Sequence, residues 1–251
     1  MLAPDRVHIW YHLTEELDET GVARASAILS DSERTRGQRF VFARDRRDFV
    51  AAHALTRLAL SRYGGLAPEQ WRFQEGAEGK PSLAADDRTP PLTFNLSHTH
   101  GLVACAIAPG VDVGIDVERV DRRVGAEEIA TRFFSAGEQA ALARCPAEER
   151  ARRFFELWTL KEAYIKAIGK GLSHSLNTFG FALSEPGSIG FMPPPDVELA
   201  GWQFALFAPT ELHAMAVAVR REHDWMWKID ALSHDEGVGL LPVRTSRPPA
   251  G

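Results

Sequence analysis

Two long amphipathic patterns constrain this chain more than any other feature. In the first, from Arg47 to Tyr63, the apolar residues Phe49, Val50, Ala54, Leu55, Leu58 and Leu60 recur at helical spacing until Gly64-Gly65 stops them. The second runs from Ala147 to Ile168 and is stopped by Gly169-Lys170-Gly171. Strand-like stretches follow each: Leu92–Leu96, Gly101–Ala108 and Val111–Val117 after the first, then Phe179–Leu183, Gln203–Phe207 and His213–Val219 after the second. The order is therefore helix-rich and then strand-rich, twice over. No clean sequence repeat accompanies it, so a structural duplication is only suggested.

The remaining segments fill in around these. Val7–Leu13 alternates as a strand, Thr20–Leu29 is helical, and Ser30-Asp31-Ser32-Glu33 feeds a helix cap. Helical patterns occupy Gly125–Phe134 and Ser135–Arg144, the latter opening on the capping-box spacing of Ser135 and Glu138. The Gly-, Pro- and Asp-rich stretch Gly76–Pro91 is expected as loop, and Pro193-Pro194-Pro195 as a surface loop. From about Leu232 to Gly251 a frayed tail is expected.

Composition narrows the function. With 45% apolar and 25% charged residues, the 251-residue chain matches a soluble globular protein with a real core. Its 29 basic residues against 34 acidic ones leave a net charge of −5, which weighs against a general nucleic-acid binder. Two cysteines, Cys105 and Cys145, argue against a disulfide scaffold and fit a reducing compartment. Met1–Leu13 has no apolar run of the kind a signal peptide needs, and Leu102–Ala108 is far too short to span a bilayer. The cytoplasm is the default, with no membrane partner. The cations are uneven: 24 are Arg and five are Lys, of which Lys161, Lys166 and Lys170 fall within ten residues.

Five constellations carry chemical possibilities. In Gly114-Ile115-Asp116-Val117-Glu118, strand alternation puts both carboxylates on one face. Either they form a solvated face of a half-buried sheet, or a hard divalent cation such as Mg²⁺ relieves their repulsion. On the second long helix, Trp158, Glu162 and Lys166 stack at i, i+4 and i+8. That is either an ordinary Glu–Lys surface pair or, with Lys161 and Lys170, a site for a metal and phosphate oxygens. Phe94–His98 ends in Ser97-His98 without a nucleophile elbow, so a capping or phosphate-binding His fits better than a catalytic base. Lys80 is the one lysine of the first half. Finally, six arginines in fourteen residues (Arg34, Arg36, Arg39, Arg44, Arg46, Arg47) form either a phosphate site or a solvated helix face.

Taken in chain order, these motifs resemble the Sfp-like 4′-phosphopantetheinyl transferases. Gly79-Lys80-Pro81, Phe94–His98, Gly114–Glu118, Trp158–Lys166 and Gly169–Leu172 match the family pattern, with Arg39-Phe40 and Phe133-Phe134-Ser135 in support. The Trp-x-x-Lys-Glu-Ala form points to the monomeric, broad-substrate branch rather than the short trimeric holo-acyl-carrier-protein synthases. The resemblance implies an α/β (α+β) fold of two pseudo-twofold-related halves, each a small antiparallel sheet packed with helices, with coenzyme A in the cleft between. The halves are expected at 1–112 and 113–222, with 223–251 an extension.

It also implies roles. Asp116, Glu118 and Glu162 would hold Mg²⁺, with Mn²⁺ an alternative; Glu118 or Glu162 would take the serine proton, and the resemblance does not decide which. Lys166 would offset charge on the leaving phosphate. Lys80, Pro81, Ser97 and His98 match positions for the nucleotide end, Arg36, Arg39 and Arg47 add phosphate contacts, and Lys161 joins Asp116 and Lys166 in the coenzyme A set. The partners would be coenzyme A and apo acyl or peptidyl carrier proteins, typically acidic, received near Arg132-Phe133-Phe134 and the following helix. Two rival readings are a Mg²⁺-dependent nucleotide hydrolase or nucleotidyl transferase, and a carrier-binding module without catalysis.

Overall fold

The computed structural model describes the chain apart from residues 77–78, 85–90, 123–124, 170–174, 185–186, 196, 198–200, 222–225, 235–238 and 247–251. The chain opens with β1 (Arg6–Leu13), followed by helices α1 (Glu19–Ala27), α2 (Asp31–Gly37) and α3 (Ala43–Gly64). A hairpin of β2 (Phe73–Glu75) and β3 (Pro81–Leu83) precedes β4 (Thr93–Thr99), β5 (Leu102–Ala108) and β6 (Val113–Arg119). Then come α4 (Ala126–Phe133), α5 (Ala136–Arg144) and α6 (Ala147–Ile168). Strands β7 (Gly180–Ser184), β8 (Ser188–Met192), β9 (Trp202–Thr210) and β10 (His213–Arg220) follow. The last are β11 (Lys228–Ser233), β12 (Gly239–Leu240) and β13 (Arg244–Ser246). Among the described residues no helix is long and apolar enough to cross a membrane.

The chain forms two compact units. Unit 1 takes Met1–Val111 and Lys228–Leu240; unit 2 takes Asp112–Trp227 and Leu241–Gly251. In unit 1 the sheet runs β12-β11-β1-β5-β4, with α3 packed across it. The apolar face of α3 (Ala51, Ala52, Leu55, Ala59, Leu60) meets Trp10, Phe94, Val103, Cys105 and Ile107 from the strands. The helix ends where Gly65 turns to a left-handed φ of 73°, a conformation glycine adopts without a Cβ penalty.

The capping box of Ser30 and Glu33 does more than start α2. Burial alone would raise Glu33, but hydrogen bonds from His53 and the Ser30 N–H and the charge of Arg57 hold it at about 2. The Arg57 side chain is 2% exposed, and its Nη2 donates to Glu33 Oε2 at 2.7 Å. A carboxyl whose folded pKa lies below its ordinary 4.5 stabilises above that value and loses the contribution as pH falls toward 2. The stake is on the order of 3 kcal/mol. Urea unfolding followed across this window should show that acid limb in the wild type and lack it in Glu33→Gln, whose stability at neutral pH should already be reduced. An identical pH profile for the two proteins would contradict the assignment.

In unit 2 the sheet runs β6-β10-β9-β13-β8-β7, with α6 lying over β6 and β10. Its core is aromatic: Tyr164 of α6 packs edge-on to Trp202 and Phe179, and Phe181 and Phe191 pack on Phe204.

Three expectations change. The sheets are antiparallel except for one parallel pair each, β1 with β11 and β8 with β13. Both of those pairs come from the segment expected as an extension and, beyond Leu232, as a frayed tail. Arg6–Asp230 and Lys228–Asp5 ion pairs tie β11 to the start of the chain, and the Val243 N–H donates to Leu206 O beside β13. The Gly76–Pro91 loop contains β3, because Phe73, Gln74 and Glu75 pair with Leu83, Ser82 and Pro81. Each of these strands is only two to six residues long, too short for periodicity to reveal, and β11 and β13 are in addition defined by distant partners.

Candidate functional site

The site in unit 2 depends on how closely α6 approaches an edge strand. On β6, Gly114, Asp116 and Glu118 share one face, and their cross-strand partners on β10 are Ala218, Ala216 and Ala214. A strip of glycine and alanine leaves α6 room to settle onto the strands. A Cβ built on Gly114 would stand 2.1 Å from the Ala163 carbonyl oxygen and 2.3 Å from the Ala167 nitrogen, so only glycine fits. At the far end, Gly169 adopts φ 67° and stops the helix, its N–H donating to Ile165 O.

Close approach brings the two motifs into contact. The Lys166 Nζ donates to Asp116 Oδ1 at 2.6 Å, with Asp116 buried and the Lys166 side chain 29% exposed. The Arg122 Nη1 donates to Glu118 Oε2 at 2.6 Å, an i, i+4 pairing off the end of β6. Burial, and then the neighbouring charge of Asp116, raises Glu118 above the usual carboxylate range. Glu162 is pushed further, to about 7, by burial and by the charges of Asp116 and Glu118, with Lys166 opposing. Its Oε1 is buried and accepts no hydrogen bond from any described residue. One turn back on the stripe, Trp158 is half-buried and stacks on Phe154 at 6.2 Å.

Lys161 departs from expectation. Its side chain is fully enclosed, its Nζ donating to Leu176 O at 2.8 Å and Phe179 O at 2.7 Å and pairing with Glu138 Oε2 at 2.9 Å. Burial lowers its pKa, with Glu138 opposing. Glu138 is itself 0% exposed; it accepts from the N–H and Oγ of Ser135 and from the Phe181 N–H. Lys161 is therefore no ligand for coenzyme A; it joins α6 to the cap of α5 and the start of β7. Its place beside Glu162 on the helix turns it to another face.

The other sequence candidates belong to unit 1. Lys80 and Pro81 lie at the start of β3, which packs beside β4, the strand that carries buried Ser97 and exposed His98. Arg36 lies in the last turn of α2, exposed Arg39 follows the helix, and Arg47 lies in the second turn of α3. Lys170, Gly171 and Leu172 lie outside the described residues. Of the residues expected near a carrier surface, Phe134 is 1% exposed and stacks on Phe154 at 5.3 Å, while Phe133 is half-buried and Arg132 is exposed. Beside them α4, α5 and α6 frame a cleft of about 430 Å³ lined by Ala126, Ala130, Leu142, Phe154 and Arg150.

Two family models match the chain. The 4′-phosphopantetheinyl transferase superfamily matches residues 112–219, and the 4′-phosphopantetheinyl transferase N-terminal family matches 18–110. The transferase HetI of Nostoc sp. is 34% identical over 220 residues, covering 87% of this chain and 89% of the relative. The chain belongs to the 4′-phosphopantetheinyl transferase superfamily. It is an enzyme of that class. The transferase Sfp of Bacillus subtilis is 31% identical over 183 residues, 73% of this chain and 79% of Sfp. Among solved structures, the holo-[acyl-carrier-protein] synthase of Thermotoga maritima aligns with 45% of this chain and 65% of its own at a TM-score of 0.37 and 25% identity.

Sequence reasoning missed Arg122, the ion pair of Glu138 with Lys161, and the packing role of Gly114.

Proposed function

We propose that this enzyme moves 4′-phosphopantetheine from coenzyme A to a serine of an apo acyl or peptidyl carrier protein, releasing 3′,5′-ADP. The observation that carries the reading is the meeting of Asp116, Glu118, Glu162 and Lys166 where α6 lies against β6. The serine oxygen bonds to the β-phosphorus, the bond from that phosphorus to the bridging oxygen breaks, and the nucleotide leaves with the electron pair. Glu118 or Glu162 accepts the serine proton; burial raises both above the usual carboxylate range, Glu162 to about 7, as suits a group that takes and returns protons. Lys166 supplies positive charge toward the leaving phosphate. Lys80, Pro81, Ser97 and His98 hold the nucleotide end, and Arg36, Arg39 and Arg47 its phosphates.

A hard divalent ion fits the donor chemistry. Asp116, Glu118 and Glu162 offer oxygen ligands only, and the buried Glu162 Oε1 lacks a hydrogen-bond donor among the described residues. Among those residues, no three His, Cys, Asp or Glu side chains already form a metal-holding group, and Lys166 and Arg122 engage oxygens of Asp116 and Glu118. Mg²⁺ or Mn²⁺ held by these three carboxylates would supply charge neutralisation for the pyrophosphate. The enzyme is expected to act as a cytoplasmic monomer.

The test is a mass measurement. Incubated with coenzyme A, Mg²⁺ and an apo carrier protein, the enzyme should add one phosphopantetheine to the carrier, and chelation should stop it. Asp116→Ala should abolish transfer while the protein stays folded. An unmodified carrier across several carrier types would sink the reading, and cleavage of coenzyme A without a carrier would favour a hydrolase.

A further inference from the structure

Unit 1 exposes a feature that folding does not require. Between α2 and α3 the chain places three large apolar residues in a row on the surface: Phe40 is 37% exposed, Val41 89% and Phe42 59%. Isolated exposed apolar residues are ordinary, but a consecutive run of them in a soluble protein needs a function. Phe40 is anchored, its ring 5.2 Å from that of buried Phe49, and Val41 and Phe42 project beyond it. Phe42 also occupies the N-cap of α3 and gives it no side-chain hydrogen bond, whereas Asp18 and Ser30 cap α1 and α2. A Ser or Asp at that position would favour the helix; the apolar residue does not.

The rim is cationic. Arg39 precedes the run, and Arg44 and Arg46 follow it, all exposed. The Arg44 guanidinium lies 5.4 Å from the Phe42 ring centroid. From Arg34 to Arg47 there are six arginines against the single acid Asp45, in a chain whose net charge is −5. An exposed apolar run flanked by Arg39, Arg44 and Arg46, with Asp45 paired to Arg44 at 3.4 Å, is complementary to an acidic surface with an apolar stripe.

We infer that the Phe40-Val41-Phe42 knuckle of unit 1 docks the acidic carrier protein. The inference rests on the proposed transfer for the identity of its partner. Val41 and Phe42 fill the apolar stripe, and Arg44 and Arg46 meet carboxylates around it.

Binding without turnover tests this apart from the chemistry. A fluorescently labelled apo acyl carrier protein is titrated with the enzyme in the absence of coenzyme A. Val41→Ser/Phe42→Ser should raise Kd by about tenfold or more. Arg44→Glu/Arg46→Glu should weaken binding comparably and flatten its dependence on salt. In the transfer assay both variants should raise KM for the carrier and leave kcat, KM for coenzyme A and Tm unchanged. Wild-type Kd in both variants, or no binding by the wild type, would overturn the docking site. So would a rise in KM for coenzyme A, which would assign the loop to the nucleotide. A wild type that binds the carrier but never modifies it would instead overturn the transfer reading and leave the docking intact.

Discussion

Gly114→Ala should lower kcat by about a hundredfold or more, although it adds one methyl group at a position that touches no substrate. The new Cβ would meet the Ala163 carbonyl oxygen at 2.1 Å, the Ala167 nitrogen at 2.3 Å and the Ala167 Cα at 2.9 Å. All three are backbone atoms of α6, and a rigid helix cannot yield as the end of a side chain can. The helix has to lift away from β6. Overpacking of this kind costs roughly 1–3 kcal/mol, so Tm should fall as well. The catalytic loss should be larger than the stability loss explains. Lys166 reaches Asp116 across 2.6 Å, and Glu162 owes part of its shift to Asp116 and Glu118, so a displacement near an ångström separates the two halves of the constellation. Transfer kinetics and a melting curve on the same sample are the check. Near-normal kcat in a folded Gly114→Ala protein would mean that the spacing of α6 and β6 does not set the chemistry.

That glycine also marks where sequence reading ends. The limits of α6 were legible because they are local: an apolar stripe runs from Ala147 to Ile168, and Gly169 stops it. The box at Ser135 was legible for the same reason, pairing residues three apart, and Ser30–Glu33 was legible as the lead into a helix cap. The placing of Asp116 and Glu118 on one strand face followed from alternation alone. What alternation could not supply was the identity of the element covering that face. Gly114 is constrained by a helix about fifty residues later in the chain, so its motif was visible and its reason was not. The tail strands were hidden in the same way, since Lys228–Ser233 becomes a strand by pairing with residues at the opposite end of the chain. Lys161 misled for a different reason. A lysine between Leu160 and Glu162, near two further lysines, has the pattern of a charged surface, and only the position of Glu138 on another helix turns it inward.

Lys161→Met should therefore cost about 3–5 kcal/mol, the usual consequence of leaving one member of a buried ion pair without the other. Glu138 would keep its hydrogen bonds from Ser135 and the Phe181 N–H but lose its cation, and the carbonyls of Leu176 and Phe179 would lose a donor. Removing the stranded charge should recover part of the loss, so Lys161→Met/Glu138→Gln should melt above Lys161→Met although it carries one more substitution. Glutamine retains an oxygen for the cap of α5, which makes it a better partner in this test than leucine. Kinetics separate the buried strut from the coenzyme A ligand that the motif first implied. A ligand's removal raises KM for coenzyme A and leaves Tm alone. A strut's removal lowers Tm and the urea midpoint, and the molecules that remain folded bind coenzyme A as before. Because neither Lys161 nor Glu138 exposes surface to a substrate, the second pattern is the one expected. Wild-type stability in Lys161→Met, within about 0.5 kcal/mol, would return Lys161 to the ligand set.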